Sequence, residues 1–566
     1  MSSPVYCILS GGAVHCIPVT VFTPSSSVPP PEKLARKPEI STHQDTLAVP
    51  KASCPTAGSF KNKSLLYTLN NPSLSDLESD TTQLANTAEE DNEEAAKTNE
   101  EAAKNEEALP PAASNGSVSP KTPSRLAVLR SSQDDSDNEA EIVSRMNIDL
   151  ASEVSIESVL NEYSTHAVYM PEYFVDLETN LTSDYTQIKQ LLTKIFPDWK
   201  ADVAIKQLTG GITNMLLSCT HGEETLLMRV YGKGTNLIID RHREFVSHLV
   251  LNSLKLAPPI HARFSNGLIY GFFPGRSLDP KELSHPGLFP LIAQQLGNVH
   301  NSVNCEYIED GVEKLRKYTA NLKKQSQPKP SQKSSKRDKK VKRTINSVWD
   351  LLEDWIQIVP ENEALVNVFK ANLPSEDVSL ENIRHVILEE LKWLKSTLLR
   401  ASKSPVVVSH CDLLSGNIII PETSEFQEYL AKDHSTLHLP SLEDNPLKFI
   451  DYEYMLPAPR AFDIANHFAE WQGFDCDRSA IPEPSASNPV MINWCKSYLN
   501  NIDASSEETG ALIDEIACYY GMPGFYWGIW AMIQSELSTI DFNYAEYSEL
   551  RLEEYWQWKR NFTRAK

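Results

Sequence analysis

The chain has 566 residues, 41% hydrophobic and 23% charged, enough for two or three domains and at least one large core. Lys and Arg number 53 against 76 Asp and Glu, a net charge of −23 that argues against a general nucleic-acid binder, because a phosphate backbone selects basic surfaces. Nine scattered cysteines form no CxxC pair, and no apolar run reaches the ~18–20 residues of a membrane helix, so a cytoplasmic protein without a transmembrane segment or zinc site is expected.

Residues 1–165 hold 12 Lys/Arg against 24 Asp/Glu, are rich in Ser, Pro, Thr and Asn, and are expected to form a disordered acidic extension. Within it NEEAAK repeats at Asn92–Lys97 and Asn99–Lys104, and Ser131–Asp137 mixes hydroxyls with carboxylates, which reads first as a solvated acidic linker. Thr182–Phe196 carries Ile188, Leu191, Leu192, Ile195 and Phe196 on one helical face behind Ser183 or Asp184 as N-cap. The period then changes to two. Val203–Leu208, Met215–Thr220 and Glu224–Tyr231 are predicted strands of an antiparallel meander, followed by a helix over Asp240–Leu251 and by Pro258–Phe273 with the character of a sheet edge. The expected organisation is a small β-rich lobe over 166–275 and a mostly helical lobe over 276–566, the latter interrupted by an exposed basic loop at about 323–343.

The strongest local signal is Val406–Ile420, in which two apolar runs flank the polar loop HCDLLSGN. A strand-loop-strand layout there would hold Asp412 and Asn417 rigidly five residues apart, as a loop must that aligns a hydroxyl nucleophile beside a metal. Alone, Asp412 could cap a turn and Asn417 could satisfy a loop carbonyl. About forty residues on, Asp451 and Glu453 follow an apolar run, and paired carboxylates on alternate positions suit Mg²⁺, a hard cation. The order HxDxxxxN, then an apolar strand ending in Asp, is that of phosphotransferases with a kinase-type fold. An ATP site is then expected upstream, at the turn Gly210-Gly211-Ile212-Thr213-Asn214 and at Arg229, which shares a strand face with Leu227 and Tyr231 opposite Leu226, Met228 and Val230. Gly232-Lys233-Gly234-Thr235 does not satisfy a P-loop.

Taken together, GGITN at Gly210–Asn214, LMRVYG at Leu227–Gly232, Asp240–Glu244, SNGLIY at Ser265–Tyr270, HCDLLSGN, IDYEY at Ile450–Tyr454 and FDIANHFAEW at Phe462–Trp471 resemble the choline/ethanolamine kinase family over roughly 170–566. The resemblance implies an α+β, two-lobed protein-kinase-like fold that uses Mg-ATP to phosphorylate a small amino alcohol. By matching motif, Asp412 is the residue that would take the substrate hydroxyl proton. Asn417 and Asp451 would be Mg²⁺ ligands with Glu453 in support. Gly211, Thr213, Asn214 and Arg229 would face the nucleotide, with Glu244 holding Arg229. Asp463 would brace the catalytic loop, and His410 would pack. Cys411 stands where Asn is usual in the family.

Aromatics concentrate near the C terminus. Trp527 and Trp530 share a helical face, and with Phe542, Tyr544 and Tyr547 they resemble the walls of the amino-alcohol pocket, where ring faces attract ammonium by roughly 0.5–2 kcal/mol each. Leu413-Leu414 and the string from Glu470 to Asp477 look like the ethanolamine branch, so phosphorylation of ethanolamine on the route to phosphatidylethanolamine is expected. A choline or dual-specificity kinase and a catalytically silent scaffold are the competing readings. A homodimer is left open.

Overall fold

Leu226, Met228 and Val230 are buried in one apolar cluster, while Leu227, Arg229 and Tyr231 point to the other face of the same strand, so the period of two in the sequence is the period of the sheet. The computed structural model describes residues 7–10, 13–16, 154–161, 163, 167–171, 173–199, 202–210, 214–232, 234–326, 345–538 and 541–564. The NEEAAK repeats, the Ser131–Asp137 cluster, most of the basic segment, and Gly211 and Thr213 lie outside them.

A hairpin pairs β1 (Cys7–Ser10) with β2 (Ala13–Cys16). The first lobe then runs β3 (Val154–Ser155), α1 (Glu157–Leu160), β4 (Val168–Met170), α2 (Leu177–Thr182), α3 (Thr186–Ile195), β5 (Ala204–Gly210), β6 (Asn214–His221), β7 (Glu224–Tyr231), α4 (Arg241–Ser253), β8 (Ile260–Phe264) and β9 (Gly267–Tyr270). Strands β3 to β9 form one seven-stranded sheet in the order β3-β4-β8-β9-β7-β6-β5, antiparallel throughout except for β4 beside β8. The expected meander is β5-β6-β7. The segment expected at an edge is instead interior: β9 lies between β7 and β8, and Arg263 of β8 is buried against the rings of Tyr169 and Phe245.

Two further expectations shift. The helix expected over Thr182–Phe196 is broken at Ser183–Tyr185, where Asp184 and Tyr185 take φ of 52° and 55°, and Tyr185 rather than Ser183 or Asp184 precedes α3. Asp240 does cap α4, accepting from the backbone N–H groups of His242 and Arg243. The folded region also begins before 166: Ile156, Leu160 and Tyr163 are buried in the large core, because α1 packs against the long helix that follows the sheet.

The second lobe contains β10 (Arg276–Ser277), α5 (Phe289–Ser302), α6 (Cys305–Ser326), α7 (Val348–Ile358), α8 (Glu363–Asn372), α9 (Ile383–Ala401), β11 (Val406–Ser409), β12 (Ile418–Ile420), α10 (Ser424–Leu430), β13 (Lys448–Phe449), β14 (Leu456–Pro459), α11 (Arg460–Ala469), α12 (Pro489–Tyr498), α13 (Ser506–Tyr519), α14 (Met522–Leu537) and α15 (Tyr544–Arg564). Lys323 and Lys324, expected in the basic loop, are the last turn of α6. The strands around HCDLLSGN do not pair with each other: β11 pairs with β14, and β12 lies between β10 and β13. The loop therefore bridges two small sheets. Helices α14 and α15 approach closely at Gly524 and Gly528, where an added Cβ would lie 2.5 Å from the Arg551 carbonyl oxygen and 2.7 Å from the Leu552 Cγ. Among the described residues no helix is long and apolar enough to cross a membrane.

Burial of Ile156, Leu160 and Tyr163 generates a test. A chain beginning at residue 154 is expected to be more stable than one beginning at 166 by at least ~3 kcal/mol in urea unfolding, since deleting buried aliphatic side chains costs about 2–5 kcal/mol each. Equal midpoints would place these residues outside the cooperative core.

Candidate active site

One face of α11 assembles the catalytic loop. Asp463, Asn466, His467 and Glu470 recur at i, i+3, i+4 and i+7, the helical spacing of a single stripe. The Asp463 carboxylate, wholly buried, accepts from the backbone N–H of His410 at 2.8 Å, from that of Cys411 at 2.7 Å, and from His300 Nε2 at 2.9 Å. These bonds and the neighbouring histidines hold its carboxyl below the usual range despite burial, which acts the other way. Asn466 donates to the Cys411 carbonyl at 2.9 Å and accepts from Trp527 Nε1 at 2.8 Å. His467 Nδ1 lies 2.9 Å from the Leu413 carbonyl, while its Nε2 accepts from Trp471 Nε1 at 3.3 Å, so the ring is neutral with its proton on Nδ1. Cys411 is thereby held at φ 62°, a left-handed conformation, and this sets the direction in which Asp412 follows.

Asp412 and Asn417 meet as the spacing suggested: Asn417 Nδ2 donates to the Asp412 carbonyl at 2.7 Å and approaches its Oδ2 at 3.3 Å. Asp412 Oδ1 and Asn417 Oδ1 are buried without a protein partner. Burial, then the negative charges of Asp451, Glu470 and Glu453, push the Asp412 carboxyl well above its ordinary range. His410 packs as expected, and its Nε2 lies 3.0 Å from the Ile450 carbonyl, tying the loop to the strand that leads to Asp451.

Across the cleft the guanidinium of Arg229 forks onto Asp451, Nη1 to Oδ1 at 2.9 Å and Nη2 to Oδ2 at 3.0 Å, and lies 3.3 Å from Glu453. Its distance to Glu244 is 3.5 Å, and the nearer partner of Glu244 is Arg241 at 3.0 Å. Arg241, which the sequence reading passed over, also reaches Glu453 at 3.0 Å, Thr235 Oγ1 at 2.8 Å and Asn214 Oδ1 at 3.3 Å, and lies 3.9 Å over the Tyr231 ring. Two arginines thus face three carboxylates; both arginines, Glu244 and Glu453 are buried. Asp451 itself has φ 63°. Beside this network opens a cleft walled by Leu216, Leu227, Leu268, Tyr270, Phe273, Ile419 and Ile450. These walls were invisible in the sequence because apolar residues alternating along a strand read as core; the residue types that line a cleft are the same.

Trp527 and Trp530 do share a face of α14, with ring centres 5.3 Å apart at 88°. Trp530 Nε1 donates to Tyr454 OH at 2.8 Å, and Tyr544 stacks edgewise on Trp530 at 5.9 Å. Tyr547 is buried, whereas Phe542 is 38% exposed at the rim, packed on Tyr544 and Tyr547. Glu470, also missed, is buried here and close enough to Asp412 to raise its pKa. Its signal was its position seven residues after Asp463.

Burial pushes His248 and His467 down to about 4. Below pH 6.5 the unfolded chain binds protons at these positions that the folded chain refuses, so stability falls with falling pH, by up to about 1.4 kcal/mol per unit for each group. The melting temperature is expected to drop between pH 6.5 and 4, and less steeply in the double variant His248→Gln, His467→Gln. Parallel curves for the two proteins would contradict the neutral, buried assignment.

Comparison with known proteins places this geometry. The sequence profile of choline/ethanolamine kinase matches residues 205–556. Ethanolamine kinase 1 of Mus musculus is 29% identical over 392 residues, which cover 66% of this chain and 90% of that protein. Ethanolamine kinase 2 of Rattus norvegicus is 29% identical over 378 residues, covering 65% and 80% respectively. Among solved structures, the ethanolamine kinase of Plasmodium vivax is 26% identical, with 71% of this chain and 94% of that one covered at a TM-score of 0.47.

Proposed function

This chain belongs to the choline/ethanolamine kinase family, and from that premise we propose that it transfers the γ-phosphoryl group of ATP to the hydroxyl of ethanolamine. The observation that carries the reading is the pair of buried, unpartnered oxygens, Asp412 Oδ1 and Asn417 Oδ1, on a loop near enough to Asp451 for its charge to act on Asp412, with Asp451 in turn paired to Arg229. Buried oxygens without donors are costly unless a ligand supplies the missing partner.

Asp412 accepts the hydroxyl proton of the acceptor. In a loose phosphoryl transition state the nucleophile loses that proton late, so Asp412 acts chiefly by orienting the oxygen. Arg229, on the strand that walls the cleft, is the cation for the nucleotide phosphates, Glu244 and Arg241 brace it, and Asn214, at the start of the neighbouring strand, lies beside them. Among the described residues no cluster of three His, Cys, Asp or Glu side chains marks a metal site, but the mixed donor set of Asn417 Oδ1 and the carboxylates of Asp451 and Glu453 suits a hard cation. These residues would hold Mg²⁺, which when bound neutralises charge on the phosphate oxygens. Trp527, Trp530, Tyr544 and Tyr547 offer ring faces to the ammonium group, and Glu470 offers an acceptor. A primary ammonium has three N–H donors, whereas choline would leave buried acceptors unpaired, which favours ethanolamine. Cys219, Cys305, Cys411, Cys476, Cys495 and Cys518 form no disulfide, in keeping with a cytoplasmic setting.

Asp412→Asn and Asp451→Ala are each expected to lower kcat by at least ~100-fold in a chain that remains folded, with a lower melting temperature for Asp451→Ala because it leaves Arg229 without its bidentate partner. ADP release with ethanolamine, with choline and without acceptor tests the substrate. The expected result is a higher kcat/KM for ethanolamine; faster turnover of choline at subsaturating concentrations would reassign the acceptor, and no release with either would refute the kinase reading.

A further inference from the structure

The amine pocket contains a charged group with no part in the chemistry above. Arg551, on α15, is wholly buried. Its Nη1 donates to Tyr547 OH at 2.9 Å and reaches Glu470 Oε1 at 3.4 Å, while its Nε lies 3.3 Å from Glu554 Oε2. Neither its Nε nor its Nη2 has a hydrogen-bond partner. Gln472 Nε2 donates to Glu554 at 3.0 Å. The close approach of α14 and α15 at Gly524 puts the Arg551 backbone where a side chain at 524 would otherwise sit. An arginine with an unsatisfied nitrogen is a poor device for stability in such a place, since an apolar side chain of similar volume would pack there without the desolvation cost.

Its partners give it another use. Glu470 and Tyr547 are the acceptor and one of the ring faces of the amine pocket, and Arg551 touches both. Two carboxylates, Glu470 and Glu554, against one guanidinium leave a single negative charge, the complement of one ammonium ion. A lone Glu470 at this depth would tend to take up a proton and lose that complement.

We propose that Arg551 is the positioning residue of the acceptor site, fixing the Glu470 carboxylate and the Tyr547 ring in the arrangement that receives the ammonium group of the amino alcohol. The inference rests on the amino-alcohol kinase reading, and its test separates the two. Steady-state kinetics of the full chain, varying ethanolamine and ATP separately, would compare wild type with Arg551→Met, Arg551→Lys and Glu554→Gln, each with a melting curve. Arg551→Met is expected to raise KM for ethanolamine tenfold or more, with KM for ATP within twofold and kcat within threefold. Arg551→Lys keeps the charge without the fork and should fall between. Glu554→Gln removes the excess negative charge and should raise the same KM at least threefold, which carries the test if Arg551→Met does not fold. Unchanged KM for ethanolamine in the folded variants, or KM for both substrates and kcat shifting together, would overturn the assignment. A wild type inactive on both amines would refute the kinase reading and the inference with it, whereas an active wild type with insensitive variants would refute the role of Arg551 alone.

Discussion

The carboxylate of Asp463 is the constraint on which the catalytic loop depends. It is buried without solvent, a state that costs several kcal/mol for an ion unless hydrogen bonds replace its hydration, and its replacements are the N–H groups of His410 and Cys411 and the ring of His300. Satisfying that one ion fixes two successive peptide groups of the loop and so the unusual backbone of Cys411. Asp412 follows in sequence and has no freedom to point elsewhere. The next turns of the same helix repeat the device with neutral groups, Asn466 on the Cys411 carbonyl and His467 on the Leu413 carbonyl. Structure and site are therefore one stripe of a helix.

The same economy of charge governs the opposite wall. Arg229 and Arg241 reach from the sheet lobe to Asp451 and Glu453 of the helical lobe, so the ion pairs that neutralise the cleft also join the two halves of the molecule. Bidentate pairing gives the fork of Arg229 a defined orientation, which a lysine could not hold at both oxygens.

The amine pocket depends on helix packing more than on any single ring. Glycines four apart on α14 admit α15 closely enough for Tyr547 to reach the pocket and for Ser548 Oγ to donate to the Gly528 carbonyl at 2.7 Å. Trp527 is shared between the two jobs: its indole N–H holds Asn466, which holds the loop, while its ring turns to Trp530. Loss of that ring would remove both the bond to Asn466 and the contact with Trp530.

Much of this was legible in the chain. Alternation along Glu224–Tyr231 told which face of the strand carries Arg229, and the spacing of Asp412, Asn417 and Asp451 told that they belong together, because both are local consequences of backbone geometry. The family pattern supplied Asp463 as a brace and the two tryptophans as neighbours. What the sequence could not decide was pairing at a distance. Nothing local says that the strands around HCDLLSGN join different sheets, that Pro258–Phe273 lies inside a sheet rather than at its edge, or that Arg229 forks onto Asp451 222 residues away in preference to Glu244. Nor could it show that Arg241, Glu470 and Arg551 are buried ions. A charged residue on a helix is usually solvated, and only the packing of several elements against it removes the water and makes its partner a necessity. Local periodicity determined the elements, and motif order with the family resemblance pointed to Asp412, Asn417 and Asp451; burial and long-range ion pairing, which exist only once the chain is folded, decided how they face one another.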